Sequence, residues 1–151
     1  MRKYLYLLLV LSACGPKAVV QQSPLDTAAN HYARGVTHLE RGDLLTAQRE
    51  FERARLLDPD FPGIYVGSAL VALGRDDFFR ARKEIERALH KGKAFVDAHI
   101  ALGRIATAEG VALGEAPEKW LPEALRAYKK ALALRPDNPQ VYFRQGQTYI
   151  Q

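Results

Sequence analysis

Residues 47–59, AQREFERARLLDP, carry a pattern that returns at 81–93, ARKEIERALHKGK, and at 124–136, ALRAYKKALALRP. Each copy places a small residue, a bulky one and a second alanine four and three positions apart: Ala47, Phe51, Ala54; Ala81, Ile85, Ala88; Ala124, Tyr128, Ala131. Offsets of four and seven fall on one helical face. Small side chains there let a second helix approach to about 8–10 Å while the bulky one fills the groove between the axes. A companion pattern precedes each copy at fixed phase: His31, Gly35 and His38 return as Tyr65, Ala69 and Ala72, as His99, Gly103 and Ala106, and as Tyr142, Gly146 and Tyr149. The steps are 34, 34 and 43 residues, so nine residues are inserted between Gly103 and Ala124. A period in this range specifies a helical solenoid, and no segment shows the alternation of a strand, so the chain is expected to be all-α.

These residues resemble the tetratricopeptide repeat (TPR), whose pattern is W-x2-L-G-x2-Y…A-x3-F…P. Gly35, Ala47, Phe51, Ala54 and Pro59 meet it in the first repeat, and Leu102, Gly103, Ala124, Tyr128, Ala131 and Pro136 in the third. The second departs from it, with Ala69 for the glycine and Lys93 for the proline. The resemblance spans residues 28–151. It implies a right-handed solenoid of helical hairpins: repeats at about 28–61, 62–95 and 96–138, then a single terminal helix at 139–151. His31, His38 and His99 are expected in the core, His31 and His99 where the family usually has a large aromatic.

The amino terminus has a different character. MRKYLYLLLVLSAC joins two cations, Arg2 and Lys3, to an apolar run and small residues before Cys14, the layout of a secretory signal peptide. The run is shorter than the roughly 20 residues that span a bilayer. Leu11-Ser12-Ala13-Cys14 also resembles the bacterial lipoprotein box, which implies that residues 1–13 are removed and that Cys14 is lipidated. The chain would then be anchored at a membrane, each buried CH2 adding roughly 0.8 kcal/mol. Gly15 follows the cysteine where inner-membrane lipoproteins often have Asp, which implies the outer membrane, facing the periplasm, if the host has one. Cys14 is the sole cysteine and has no intramolecular disulfide partner. Residues 14–22 read as a tether, and 23–151 as the folded domain.

Turn and cap signals place the helices. Ser23-Pro24-Leu25-Asp26 reads as an N-cap, so the first helix is expected over 24–41, with Gly42 ending it and Asp43 capping the second helix to Leu57. The second repeat starts near Pro62, turns at Gly74-Arg75-Asp76 and ends at Gly92. In the third, a helix from about Ala94 to Ala112 precedes a loop at Gly114-Glu115-Ala116-Pro117, and Pro122 is expected to open the next helix. Asn138-Pro139 opens the last.

In the family the first helix of each repeat builds a concave inner surface. Carried over by position, the groove-facing and partner-binding residues are Tyr32, Val36 and Leu39; Val66, Leu70 and Leu73; Ile100, Arg104 and Thr107; Phe143, Gln147 and Ile150. That groove is largely apolar and suits an amphipathic helix or hydrophobic peptide segment of a partner protein. Some TPR proteins grip an acidic chaperone tail with Lys, Asn and Arg at such positions. Only Arg104 fits that chemistry here, so this clamp is not expected. Trp120, the single tryptophan, either staples the helix that follows it or projects as an accessory partner contact. The last helix carries Tyr142, Phe143, Tyr149 and Ile150 with no following helix to cover them, which predicts an exposed apolar edge, open to a partner or to a homodimer.

Reaction chemistry is not indicated. His31 and His38 are about 10.5 Å apart along a helix axis, too far for one zinc with ligands at about 2 Å. No glycine-rich phosphate loop, His-Glu-x-x-His, Cys-x-x-Cys or G-x-S-x-G occurs, so no catalytic residue, metal or cofactor is expected. Formal net charge is +5, and the rest of the cationic excess beyond Arg2 and Lys3 lies in the second repeat, where a solvated helix face is the expected reading. The sequence thus reads as a lipid-anchored protein-interaction scaffold of the bacterial envelope, analogous to the TPR pilotins that assist outer-membrane machines. A rival reading is an accessory subunit of an envelope enzyme such as a peptidoglycan hydrolase. Nucleic-acid binding through the second repeat is a third, but it requires a cytoplasmic location.

Overall fold

The computed structural model describes residues 26–151, which form seven helices: α1 (Ala28–Glu40), α2 (Leu44–Leu57), α3 (Gly63–Leu73), α4 (Phe78–Lys91), α5 (Val96–Ala112), α6 (Pro117–Leu134) and α7 (Pro139–Tyr149). No strand occurs among them. The signal segment, Cys14, the tether and Ser23-Pro24 lie outside the described residues.

The small–bulky–small faces are the seams between helices. Ala47, Ala54, Ala81, Ala88, Ala124 and Ala131 are all fully buried, and the bulky residues between them, Phe51, Ile85 and Tyr128, are at most 2% exposed. The companion glycines explain the closeness of the packing. A methyl group built on Gly35 would lie 2.4 Å from the Phe51 ring, and one on Gly103 would lie 2.5 Å from the Tyr128 ring. Contacts in series run α1 to α3, α3 to α5 and α5 to α7, whereas the backbones of α2, α4 and α6 lie against odd-numbered helices only, with α4 reaching α6 through the Arg82–Glu123 ion pair. The odd-numbered helices therefore form the inner, concave layer, and α2, α4 and α6 the outer one.

Caps and turns follow local chemistry with two departures from expectation. Asp43 and Asp77 accept hydrogen bonds from the Thr46 and Arg80 amides at 3.0 Å, capping α2 and α4. Gly42 takes a positive φ of 77°, and its counterpart one repeat later, Asp76, takes 57°. The first departure is at α1, which starts at Ala28 rather than at Pro24. Thr27 is extended and its hydroxyl accepts from the Asn30 amide at 3.2 Å, while the Asp26 carboxylate turns to His31, 2.6 Å away. The second is at α6, where Pro117, not Pro122, takes the first helical position and Pro122 lies inside the helix. The insertion thus lengthens α6 by a turn, and Pro122 costs one backbone hydrogen bond just beyond the donors that a helix start leaves free.

Histidine roles also differ from expectation. His31 is 6% exposed, but instead of filling an apolar site it is held by ionic groups: Asp26, Glu50 at 2.7 Å, and Arg34. Its hydrogen bond holds the Asp26 carboxyl below the usual range. Burial opposes the same effect at Glu50, but hydrogen bonds from His31 and Arg34 outweigh it. His38 is half-buried beside Asp43, at 3.4 Å. His99 is buried as expected, its Nε2 donating to the Lys93 carbonyl at 3.1 Å.

Candidate partner-binding groove

Tyr32, Val66 and Ile100 come from equivalent positions of α1, α3 and α5, and each is less than 9% exposed. Together with Val36, Leu70, Asp97 and Arg104 they line a cavity of about 360 Å³ on the inner layer. A second cavity, about 450 Å³, continues toward α7 and is lined by Leu73, Arg104, Thr107, Gln147, Ile150 and Arg144, among others. Ten of the twelve residues expected in the groove therefore meet in these two spaces. Leu39 instead packs half-buried against the main core, and Phe143 is 60% exposed on α7. Val66, at 1% exposure, is floor and not contact surface.

Polar groups interrupt the apolar lining at a few points. The Tyr32 hydroxyl donates to Asp97 at 3.0 Å, tying α1 to α5 across the groove. Burial, reinforced by the Asp97 carboxylate, holds that phenol well above its ordinary range. Thr107 and Thr148 hydroxyls lie 3.0 Å apart, with the Tyr128 hydroxyl 3.3 Å from Thr148.

Arg104 is the shared wall of both cavities. Burial, and then the neighbouring Arg144 guanidinium, pull its pKa down to about 10. Arg144 comes from α7, with its side chain 17% exposed, and its Nε is buried without a partner. Its other nitrogens donate to Gln147 at 3.0 Å and lie 3.9 Å from Glu40. Position-by-position comparison with the family could not single out Arg144. Its approach to Arg104 depends on how far the inner layer curves between α5 and α7. Two guanidiniums here adjoin two carboxylates, Asp97 of the groove lining and Glu40, and the apolar wall strengthens the field of each charge.

Other features fall outside the groove. Trp120 is 5% exposed; it packs where a methyl on Gly110 of α5 would be, and its Nε1 donates to the Glu115 carbonyl at 3.2 Å. It staples α6 to α5 and does not project toward a partner. A larger cavity, about 690 Å³, lies between α4 and α6, bounded by Leu89, Ala133, Leu134 and exposed His90. The cations of the second repeat are largely engaged: Arg82 with Glu109 and Glu123, Arg87 with Glu84, Lys91 with Asp60 and Arg75 with Gln48. No His, Cys, Asp or Glu group suited to a metal occurs among the described residues, and none of their helices is long and apolar enough to cross a membrane.

Comparison with known proteins agrees with the architecture. A model described as "TPR repeat" matches residues 121–151. No curated protein matches. Among solved structures, the first TPR domain of Spaghetti (RPAP3) bound to an HSP90 peptide is similar over 82% of this chain and 90% of its own, at 18% identity and a TM-score of 0.57. The second TPR domain of human RPAP3, in complex with an HSP70 peptide, is similar over 81% and 94%, at 20% identity and a TM-score of 0.56. The TPR domain of Arabidopsis OM64 covers 82% and 94%, at 18% identity and a TM-score of 0.56. At these identities the likeness is one of fold, and the fold of residues 26–151 is the TPR solenoid: three helical hairpins and a terminal helix.

Proposed function

We propose that this chain is a protein-interaction scaffold of the bacterial envelope, lipid-anchored through Cys14, which holds a hydrophobic segment of a partner protein in the groove of its inner layer. The observation that carries the reading is the pair of largely apolar groove cavities on the inner layer, with Arg104 in the wall common to both. Burying one leucine-sized side chain there contributes about 1.5–3 kcal/mol, and Arg104 with Arg144 favours a segment that also carries a carboxylate. The peptide complexes of the two RPAP3 domains support a peptide or protein partner for this fold. Envelope location rests on the signal-like segment and lipoprotein box, and assistance to an outer-membrane assembly on the resemblance to pilotins.

Cross-linking of the native lipoprotein, followed by mass spectrometry, tests the groove when wild type is compared with Leu70→Glu and Arg104→Glu. A partner that is lost with both variants, while circular dichroism shows unchanged helicity, supports the reading. Equal cross-linking by all three forms sinks it. A secretin among the products identifies the assembly role, and a peptidoglycan hydrolase identifies the accessory-subunit role. Separately, Cys14→Ala is expected to shift the chain from the membrane to the soluble fraction. Unchanged membrane association and unchanged mass would remove the anchor.

A further inference from the structure

The backbones of α4 and α6 do not touch, and the Arg82–Glu123 ion pair links the two helices in their N-terminal halves. Toward their C-terminal ends lies the cavity of about 690 Å³, with Leu89, Ala133 and Leu134 as its apolar wall and His99 of α5 on its border. His99 is 7% exposed; its Nε2 donates to the Lys93 carbonyl at 3.1 Å, and its Nδ1 is buried with no hydrogen-bond partner in the protein. The first repeat shows what this atom meets when it is paired. His31 holds the same phase there, and its Nδ1 lies 2.7 Å from the Glu50 carboxylate. Glu50 stands three residues after Ala47; in the third repeat the corresponding place, three after Ala124, is taken by Ala127. The chain thus repeats the histidine and omits its acidic partner.

We propose that this cavity binds a small aliphatic monocarboxylate, whose carboxylate takes at His99 Nδ1 the place that Glu50 takes at His31 and whose chain lies against Leu89, Ala133 and Leu134. Nε2 is committed as a donor, so Nδ1 is an acceptor in the neutral ring and a donor only in the charged one. A carboxylate at Nδ1 therefore selects the imidazolium and gains a charge-assisted hydrogen bond. The other charged or titratable groups around the cavity are Glu86 and His90 on α4, Lys93 before α5, and Lys130 on α6. Two lysines against one glutamate favour a monoanion. The volume lies within the range of about 300–1,000 Å³ typical of small-molecule sites. The site is separate from the groove, since none of its residues lines either groove cavity.

The probe is decanoate, titrated calorimetrically into the full chain below its micellar concentration, with decanol and acetate as controls that lack the carboxylate or the chain. The expected result at about pH 6 is saturable binding of decanoate alone, weakened about tenfold or more in His99→Phe and in Lys130→Glu. Lys130 is exposed, so its variant keeps the test intact if His99→Phe misfolds. Nitrogen NMR of the histidine rings should show His99 becoming doubly protonated as decanoate is added. Raising the pH to about 8 should weaken binding about tenfold or more, because an ordinary imidazole is then neutral. His90→Gln should show the same fall, which assigns the pH dependence to His99. No binding, equal binding of decanol, equal binding by His99→Phe and Lys130→Glu, or affinity that does not change with pH overturns the proposal. So does an apolar peptide with a free C-terminal carboxylate that saturates the site below the decanoate concentration, because a protein segment would then be the occupant.

Discussion

Two glycines in equivalent positions make opposite demands on a methyl group, and that contrast tests the packing at the scale of single residues. Gly103→Ala forces a carbon to within 2.5 Å of the buried Tyr128 ring and should cost about 1–3 kcal/mol in urea unfolding. Gly146→Ala meets no neighbour and should stabilise the chain by about 0.5–1 kcal/mol, because alanine loses less backbone freedom in a helix. Equal effects at both sites would mean that Gly103 is not a close-packed contact. Arg104 gives a second test. Its charged form is disfavoured by burial and by Arg144, so its folded pKa lies below the ordinary arginine value, at about 10. For a cation the sign is unfavourable: the penalty on folding is fully present at neutral pH and is relieved only above that value. Arg104→Met should therefore raise the melting midpoint, by about 0.5–2 kcal/mol in stability, while weakening capture of a carboxylate-bearing partner. If Arg104 served only stability, the substitution would lower the midpoint and leave capture unchanged. The small–bulky–small residues were legible in the sequence because helical spacing alone puts them on one face. The ionic cage of His31 was not, since Glu50 approaches it from a neighbouring helix 19 residues away.

At the scale of elements, the hairpins and their turns followed from short-range signals, and the errors came where two such signals competed. Ser23-Pro24 and Thr27 both offer a helix start; Asp26 is drawn to His31, and Thr27 takes the cap. Pro117 and Pro122 compete in the same way, and burial of Trp120 against Gly110 favours the earlier start by adding a turn to α6. Arg82 ties this longer helix back into the array. From α4 it reaches Glu109 on α5 and, through two nitrogens at 2.8 and 3.1 Å, both oxygens of Glu123 on α6. Such a forked pair within a network exceeds an ordinary surface ion pair, but its side chains are still 24–41% exposed, so solvent screens it. Arg82→Met should cost about 1 kcal/mol at low salt and much less in molar salt. A cost that does not change with salt would show that the arginine acts through its aliphatic stem instead.

For the whole molecule, stability is a property of neighbours, because each helix contacts only those next to it in the stack. Among the described residues the backbone of α3 lies against α1, α2, α4 and α5, whereas that of α7 lies against α5 and α6 and meets α1 only through the Arg144–Glu40 pair. The apolar residues follow the same gradient: eight residues of α3 are buried, and two of α7, Val141 and Thr148. Local opening should therefore cost least at α7 and most at α3 and α5. Native-state hydrogen exchange at low denaturant is expected to show α7 amides exchanging first, those of α1 and α2 later, and those of α3 and α5 only through global unfolding. Uniform protection would mean that the array unfolds as one block and that nearest-neighbour stacking does not describe it.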